Sequence, residues 1–172
     1  MQNEREVIEV MGMYQKFGEF DSFGDINELA ENLFNEGDLD SIKLLAKENG
    51  IPEDFVEMYI EGDIPVLCDA MTAAVGKLDV EAADMEIQGL MLDWLDYIKV
   101  QCGENTILAY KVRNKGKSLA GCIGELMKYS FANQWPVPEM IRKEAKVTAG
   151  RVTFGVPNMA KAKEIIMDYY LY

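Results

Sequence analysis

Ser118-Leu119-Ala120-Gly121-Cys122-Ile123-Gly124-Glu125-Leu126-Met127-Lys128-Tyr129-Ser130 puts Leu119, Cys122, Ile123, Leu126, Met127 and Ser130 on one side of a helix. Their spacing follows the 3.6-residue period, and Ser118 is the residue type that caps a helix N-terminus. The same signature recurs through the chain. Asn158 caps a final helix with Met159, Ala162, Ile165, Ile166, Tyr169 and Tyr170 along one side. Asp25 heads a stripe of Ile26, Leu29, Ala30, Leu33 and Phe34, with Glu28 at the capping-box spacing and Gly37 as a stop. Asp40 caps a short helix through Ile42, Leu44, Leu45 and Ala46, and Pro52 restarts one carrying Phe55, Val56, Tyr59 and Ile60 up to Gly62.

The remaining segments are less sharply punctuated. Val7, Ile8, Met11 and Tyr14 share a face in an opening helix, and 64–76 reads as a short helix opened by Pro65. Residues 80–102 form the longest helical stretch, bent at Gly89, with Leu90, Met91, Trp94, Leu95 and Ile98 inward. Asn105–Val112 reads as a helix or turn, and Pro136 and Pro138 open a short helix to about Lys143. Val147–Val156, with Gly150 and Gly155, is a loop or short strand. The expected fold is all-α: two closely packed helical subdomains, 1–102 and 103–172, with one short β element near 147–156. Trp94, Trp135 and the methionine stripes are assigned to the core.

The chain has 172 residues, 49% apolar and 27% charged, enough for a self-sufficient core. No run of about 18 apolar residues marks a membrane span. The opening Met1-Gln2-Asn3-Glu4-Arg5-Glu6 has no secretory character, so a cytoplasmic location is expected. Histidine is absent, which removes His-based acid–base catalysis, His triads and His-containing zinc sites. Cys68, Cys102 and Cys122 form neither a disulfide framework nor a CxxC metal pattern. Gly150-Arg151-Val152-Thr153-Phe154-Gly155 lacks the ending of a phosphate loop. No enzyme activity, cofactor or metal site is assigned. Asp38 with Asp40, and Asp93 with Asp96, are paired carboxylates without the rest of an EF-hand spacing.

Charge is divided unevenly. Residues 1–100 carry 24 acids and 6 bases, net −18, whereas 101–172 carry 6 acids and 11 bases, net +5. Leu45–Tyr59 has helix-turn-helix spacing around Gly50, but its second helix bears Glu53, Asp54, Glu57 and Glu61, which repel phosphate. The same acids suit a basic partner. Glu53, Glu57 and Glu61 repeat every ~6 Å along one face, against a phosphate every ~3.4 Å of a DNA strand. Imitating nucleic acid therefore requires a second acidic segment alongside: Glu28 with Glu31, the run holding Asp38 and Asp40, or Asp93 with Asp96. A solvated acidic face is the alternative. Lys111, Arg113, Lys115 and Lys117 lead into the Ser118 helix and are candidate phosphate contacts, or partners of the acidic half.

Lys117-Ser118-Leu119-Ala120-Gly121-Cys122-Ile123, the amphipathic helix it opens and the terminal Tyr169-Tyr170 resemble small accessory proteins of bacterial mobile elements. Some of that group are conjugation-associated, and some are anti-CRISPR inhibitors of Cas9. The resemblance implies a mobile-element protein acting on a nucleic-acid machine, and no functional residue is carried over from it. The leading expectation is an acidic inhibitor occupying a basic channel of an effector such as Cas9, with guide RNA or self-association as roles for the basic half. The alternative is a nucleic-acid-binding accessory protein of a conjugative or phage element, acting through the basic C-terminal half with Lys111, Arg113, Lys115 and Lys117 as its contacts.

Overall fold

The computed structural model describes residues 13–172. The opening helix suggested by Val7, Ile8 and Met11 lies outside the described residues. Tyr14, assigned to that helix, sits in a turn at φ 59°.

The described chain is all-α apart from one two-stranded ribbon. Its elements are α1 (Phe23–Glu36), α2 (Leu39–Glu48), α3 (Glu53–Glu61), α4 (Ala70–Met85), α5 (Leu90–Glu104), α6 (Thr106–Arg113), α7 (Leu119–Ala132), β1 (Trp135–Pro136), α8 (Glu139–Glu144), β2 (Thr153–Phe154) and α9 (Met159–Leu171). Among the described residues no helix is long and apolar enough to cross a membrane.

Most boundaries follow the capping chemistry. Ser118, Asn105 and Asn158 each accept a hydrogen bond from a first-turn backbone N–H. Two caps fall earlier than expected. Ser22, not Asp25, caps α1: its extended backbone lets its hydroxyl accept from Asp25 N, 3.1 Å away, and Asp25 stands in the first turn. Asp38, not Asp40, caps α2 and accepts from Ser41 N at 3.1 Å.

The largest correction concerns 64–102. Pro65 opens no helix there. Asp69 supplies the cap instead, accepting from Thr72 N at 2.7 Å, and α4 runs through Gly76 to Met85. The long helix is broken, not bent, at 86–89. Glu86 turns left-handed at φ 51° to close α4, and Gly89 at φ 57° enters α5. Near the C-terminus, Pro136 belongs to β1 and only Pro138 precedes α8. The strand suggested within 147–156 is β2, antiparallel to β1 with Trp135 opposite Phe154.

Two apolar cores meet at α4. One gathers Ile26, Ala30 and Leu33 of α1, Ile42 and Leu45 of α2, Val56 of α3, and Leu67, Cys68 and Ala73. The other gathers Ala74 and Leu78 of α4 with α5, α6, α7 and α9, around Ile98, Leu108, Leu126, Ile166 and Tyr170. Adjacent alanines of α4 thus serve different cores, while Gly103 falls inside α5. The two are joined closely at Gly50 and Gly76, where a Cβ on either residue would overlap the other segment's backbone. Trp94 is buried as expected, but Trp135 is not core: it is 50% exposed on the ribbon. Met127, Met140 and Met159 are likewise exposed, and α8, which carries Met140, buries no residue.

Candidate functional site

Helices α1 to α3 bury one face and turn the other outward, and the outward positions are mostly acidic. Every carboxylate from Asp21 to Asp69 except Glu48 is exposed. Among the described residues, none of these exposed carboxylates forms an ion pair; the pairs that do form involve Glu19, Asp79, Glu81, Glu125, Glu139 and Glu164.

On α3, Glu53 and Asp54 stand in the first turn, where the helix dipole favours negative charge. Glu57 and Glu61 continue the stripe with no base beside them in the last turn. Lys43 and Lys47 of α2 line a shallow depression with Glu53 but do not pair with it. On α2, Asp38 and Asp40 are both exposed. Hydrogen bonds from the Ser41 side chain, 2.6 Å away, and from its backbone hold the Asp38 carboxyl below its usual range.

Glu28 and Glu31 of α1 lie with Tyr59 and Gly62, at the end of α3, on a groove of about 500 Å³. Phe34 and Tyr59, both in its lining, pack at 5.7 Å between ring centroids. Burial, and then the charge of Glu31, raises the Tyr59 phenol above its ordinary range. Of the segments weighed as companions to the α3 stripe, the α1 pair shares a groove with Tyr59 and Gly62 at the end of α3, on a side of the helix that carries none of Glu53, Glu57 and Glu61. Asp93 and Asp96 stand on α5, which packs with α4, α6 and α9 in the other core.

The basic run is divided by its own helix. Lys111 and Lys115 are exposed, but Arg113 is only 1% exposed. Its Nη2 donates to Asn49 Oδ1 at 3.1 Å, and its guanidinium lies over the Tyr14 ring at 5.7 Å. Lys117 Nζ donates to Tyr169 O at 2.6 Å and lies over that ring at 5.0 Å. The loop between α6 and α7 is tied to the entrance of α1, since Lys115 N donates to Asp21 Oδ1 at 2.9 Å and Asn114 Nδ2 to Asp21 O at 3.0 Å. A signal for Arg113 is present in the sequence: Leu108, Ala109, Val112 and Arg113 share the face of α6 that becomes buried.

Sequence reasoning passed over Lys77, 1% exposed on α4. Its ammonium donates to Asn114 O and Lys117 O, both at 2.7 Å, and pairs with Glu19 at 2.9 Å. Four residues on, buried Glu81 accepts from Leu119 N at 2.7 Å, at the start of α7. Burial raises the Glu81 carboxyl above its ordinary range, against lowering by that bond and by Lys77. These buried charges organise the junction between the cores and face no groove described above.

Cys68, Cys102 and Cys122 are free and buried, and desolvation pushes each thiol up to about 12. They are therefore thiols, not nucleophilic thiolates, at neutral pH. Among the described residues no group of three or more His, Cys, Asp or Glu side chains is arranged to hold a metal ion. What this face presents is exposed carboxylates beside the aromatic rings of Phe34 and Tyr59. Compared with protein families, characterised proteins and solved structures, the chain matches none.

Proposed function

We propose that this protein is a stoichiometric inhibitor that lays the acidic layer α1–α3 into a basic nucleic-acid-binding channel, in its most specific form that of Cas9. One observation carries the reading: among the described residues, the carboxylates exposed between Asp21 and Asp69 form no ion pair. Such a surface offers a channel built for phosphate what phosphate offers it, a row of negative charge with its counterions displaceable. The further exposed carboxylates of α1 and α2 support it, because a single stripe at ~6 Å intervals is sparser than a nucleic-acid strand; Glu28 and Glu31 face the Tyr59 side of α3 and not the stripe itself. Binding of this kind weakens as salt screens it.

The test is DNA cleavage by guide-loaded Cas9 from several orthologues, with the inhibitor in excess. Cleavage is expected to fall for at least one orthologue, and inhibition to weaken as salt rises. Glu53→Lys/Glu57→Lys/Glu61→Lys, checked for unchanged helicity, is expected to raise the half-inhibitory concentration by at least about tenfold, a difference of ~1.4 kcal/mol. Undiminished cleavage across the orthologues overturns the Cas9 reading. The nucleic-acid-binding alternative is less supported, because Arg113 and Lys117 are spent inside the fold and only Lys111 and Lys115 remain outward. A gel shift at low salt that Lys111→Ala/Lys115→Ala abolishes would favour it.

A further inference from the structure

Between Met127 and Met159 the chain exposes an unusual density of large apolar side chains. Met140 is 80% exposed and Phe131 75%, with Trp135, Ile141, Phe154 and Val156 each at half or more. This segment is well built, not loose. Trp135 and Phe154 meet edge to face at 5.4 Å across the ribbon. Thr153 Oγ1 and Gln134 Oε1 lie 2.7 Å apart in a hydrogen bond, Val137 N donates to Val152 O at 2.9 Å, and Arg142 Nη1 donates to Ala149 O and Gly150 O. Gly155 lies so close to the Ser130 carbonyl, at the end of α7, that a Cβ there would overlap it. An ordered arm therefore presents apolar rings outward, and contiguous apolar surface of this kind marks an interaction site. The arm is also basic. Lys146 and Arg151 are exposed and form no ion pair among the described residues, and its acids are only Glu139, paired with Lys143, and Glu144.

The same chain carries a surface of matching chemistry. The groove between α1 and α3 is lined by Phe34, Tyr59 and Val66 together with Glu28 and Glu31, whose carboxylates form no ion pair among the described residues. We infer that the arm of one copy docks into the α1/α3 groove of a second copy. Charge selects the arrangement. Arm against arm opposes cations, and groove against groove opposes carboxylates, whereas arm in groove satisfies both and covers apolar surface on each side. Such a contact is head-to-tail: each copy keeps one free arm or groove, and the assembly extends unless it closes into a ring. It also covers carboxylates of the acidic layer, so self-association withholds part of that layer from other partners.

Sedimentation velocity of the full chain at low salt tests this, with helicity checked by circular dichroism. The mass is expected to rise with concentration and to fall toward the monomer at about 1 M salt, where the screening length is ~3 Å. Glu28→Lys/Glu31→Lys, which disables the groove, and Lys146→Glu/Arg151→Glu, which disables the arm, should each be monomeric. Met140→Glu provides a second arm variant. A mixture of the two charge-reversal variants should associate again, because the intact arm of one meets the intact groove of the other and the reversed arm and reversed groove are also opposite in charge. A wild type that stays monomeric at every concentration overturns the proposal. So does a groove variant that still associates, or a mixture that stays monomeric. Arm-dependent binding of single-stranded DNA or anionic vesicles by a monomeric wild type would assign the arm to that ligand and likewise overturn it. Failure here leaves the Cas9 assay untouched, since that assay turns on Glu53, Glu57 and Glu61.

Discussion

Lys77 gathers partners at the junction of the two cores: Glu19, Glu81 and the carbonyls of Asn114 and Lys117. It lies between Gly76 and Leu78 on the buried side of α4, and its ammonium collects the carbonyls that end α6 and lead into α7. Removing one partner of a buried ion pair costs about 3–5 kcal/mol, because the other charge is left without compensation. Glu19 retains some contact with solvent, its side chain being 30% exposed, so the lower end of that range applies. Lys77→Ala is expected to lower the unfolding free energy in urea by about 3 kcal/mol. Lys77→Met should recover part of the loss by keeping the stem's packing. An alanine variant within about 0.5 kcal/mol of wild type, the range of an ordinary surface change, would show that the node carries no stability. The sequence conceals this role because a lysine is by default a surface residue. Arg113 is concealed for the same reason, and only its place on the apolar face of α6 gives it away.

At the scale of elements, the glycines divide into three uses that one-letter reading does not separate. Gly37 and Gly62 end α1 and α3 at φ 76° and 84°, as C-terminal glycines do. Gly76 is different: it lies inside α4 because the turn after α2 passes against it, with Gly50 O at 2.9 Å from where its Cβ would be and Asn49 O nearer still. Gly124 of α7 faces open space. An alanine in a helix interior is worth about 1 kcal/mol over glycine where nothing obstructs it, and overpacking against rigid backbone costs about 1–3 kcal/mol. Gly124→Ala is therefore expected to raise Tm by about 2–4 °C and Gly76→Ala to lower it by several degrees, read by thermal circular dichroism. A rise for both would mean that α4 and the α2–α3 turn are not held in contact. Caps at Ser118 and Asn158 were legible because capping is local chemistry. The 64–102 region was not, because Gly76 marks a tertiary approach and Gly89 an entry to a new helix.

For the molecule as a whole, thirteen carboxylates are exposed between Asp21 and Asp69, with Lys43 and Lys47 as the bases in that span. Like charges on a folded surface repel one another and destabilise the compact state. The screening length falls from ~30 Å at 0.01 M salt to ~8 Å at 0.15 M, so adding salt relieves this repulsion. Tm is expected to rise by several degrees across that interval, and the rise should shrink in Glu53→Lys/Glu57→Lys/Glu61→Lys. A Tm independent of salt would mean that the carboxylates lie too far apart to act as one field. By itself the sequence determined the helical class, the caps at Ser118 and Asn158, the glycine stops at Gly37 and Gly62 and the division of charge along the chain, because periodicity, capping and net charge depend on neighbours within a few residues. Only the tertiary structure decided that Arg113 and Lys77 turn inward, that Glu28 and Glu31 meet the end of α3, and that Trp135 stands outside the core. Those outcomes depend on which distant segment covers each face, a matter of packing that local spacing does not encode.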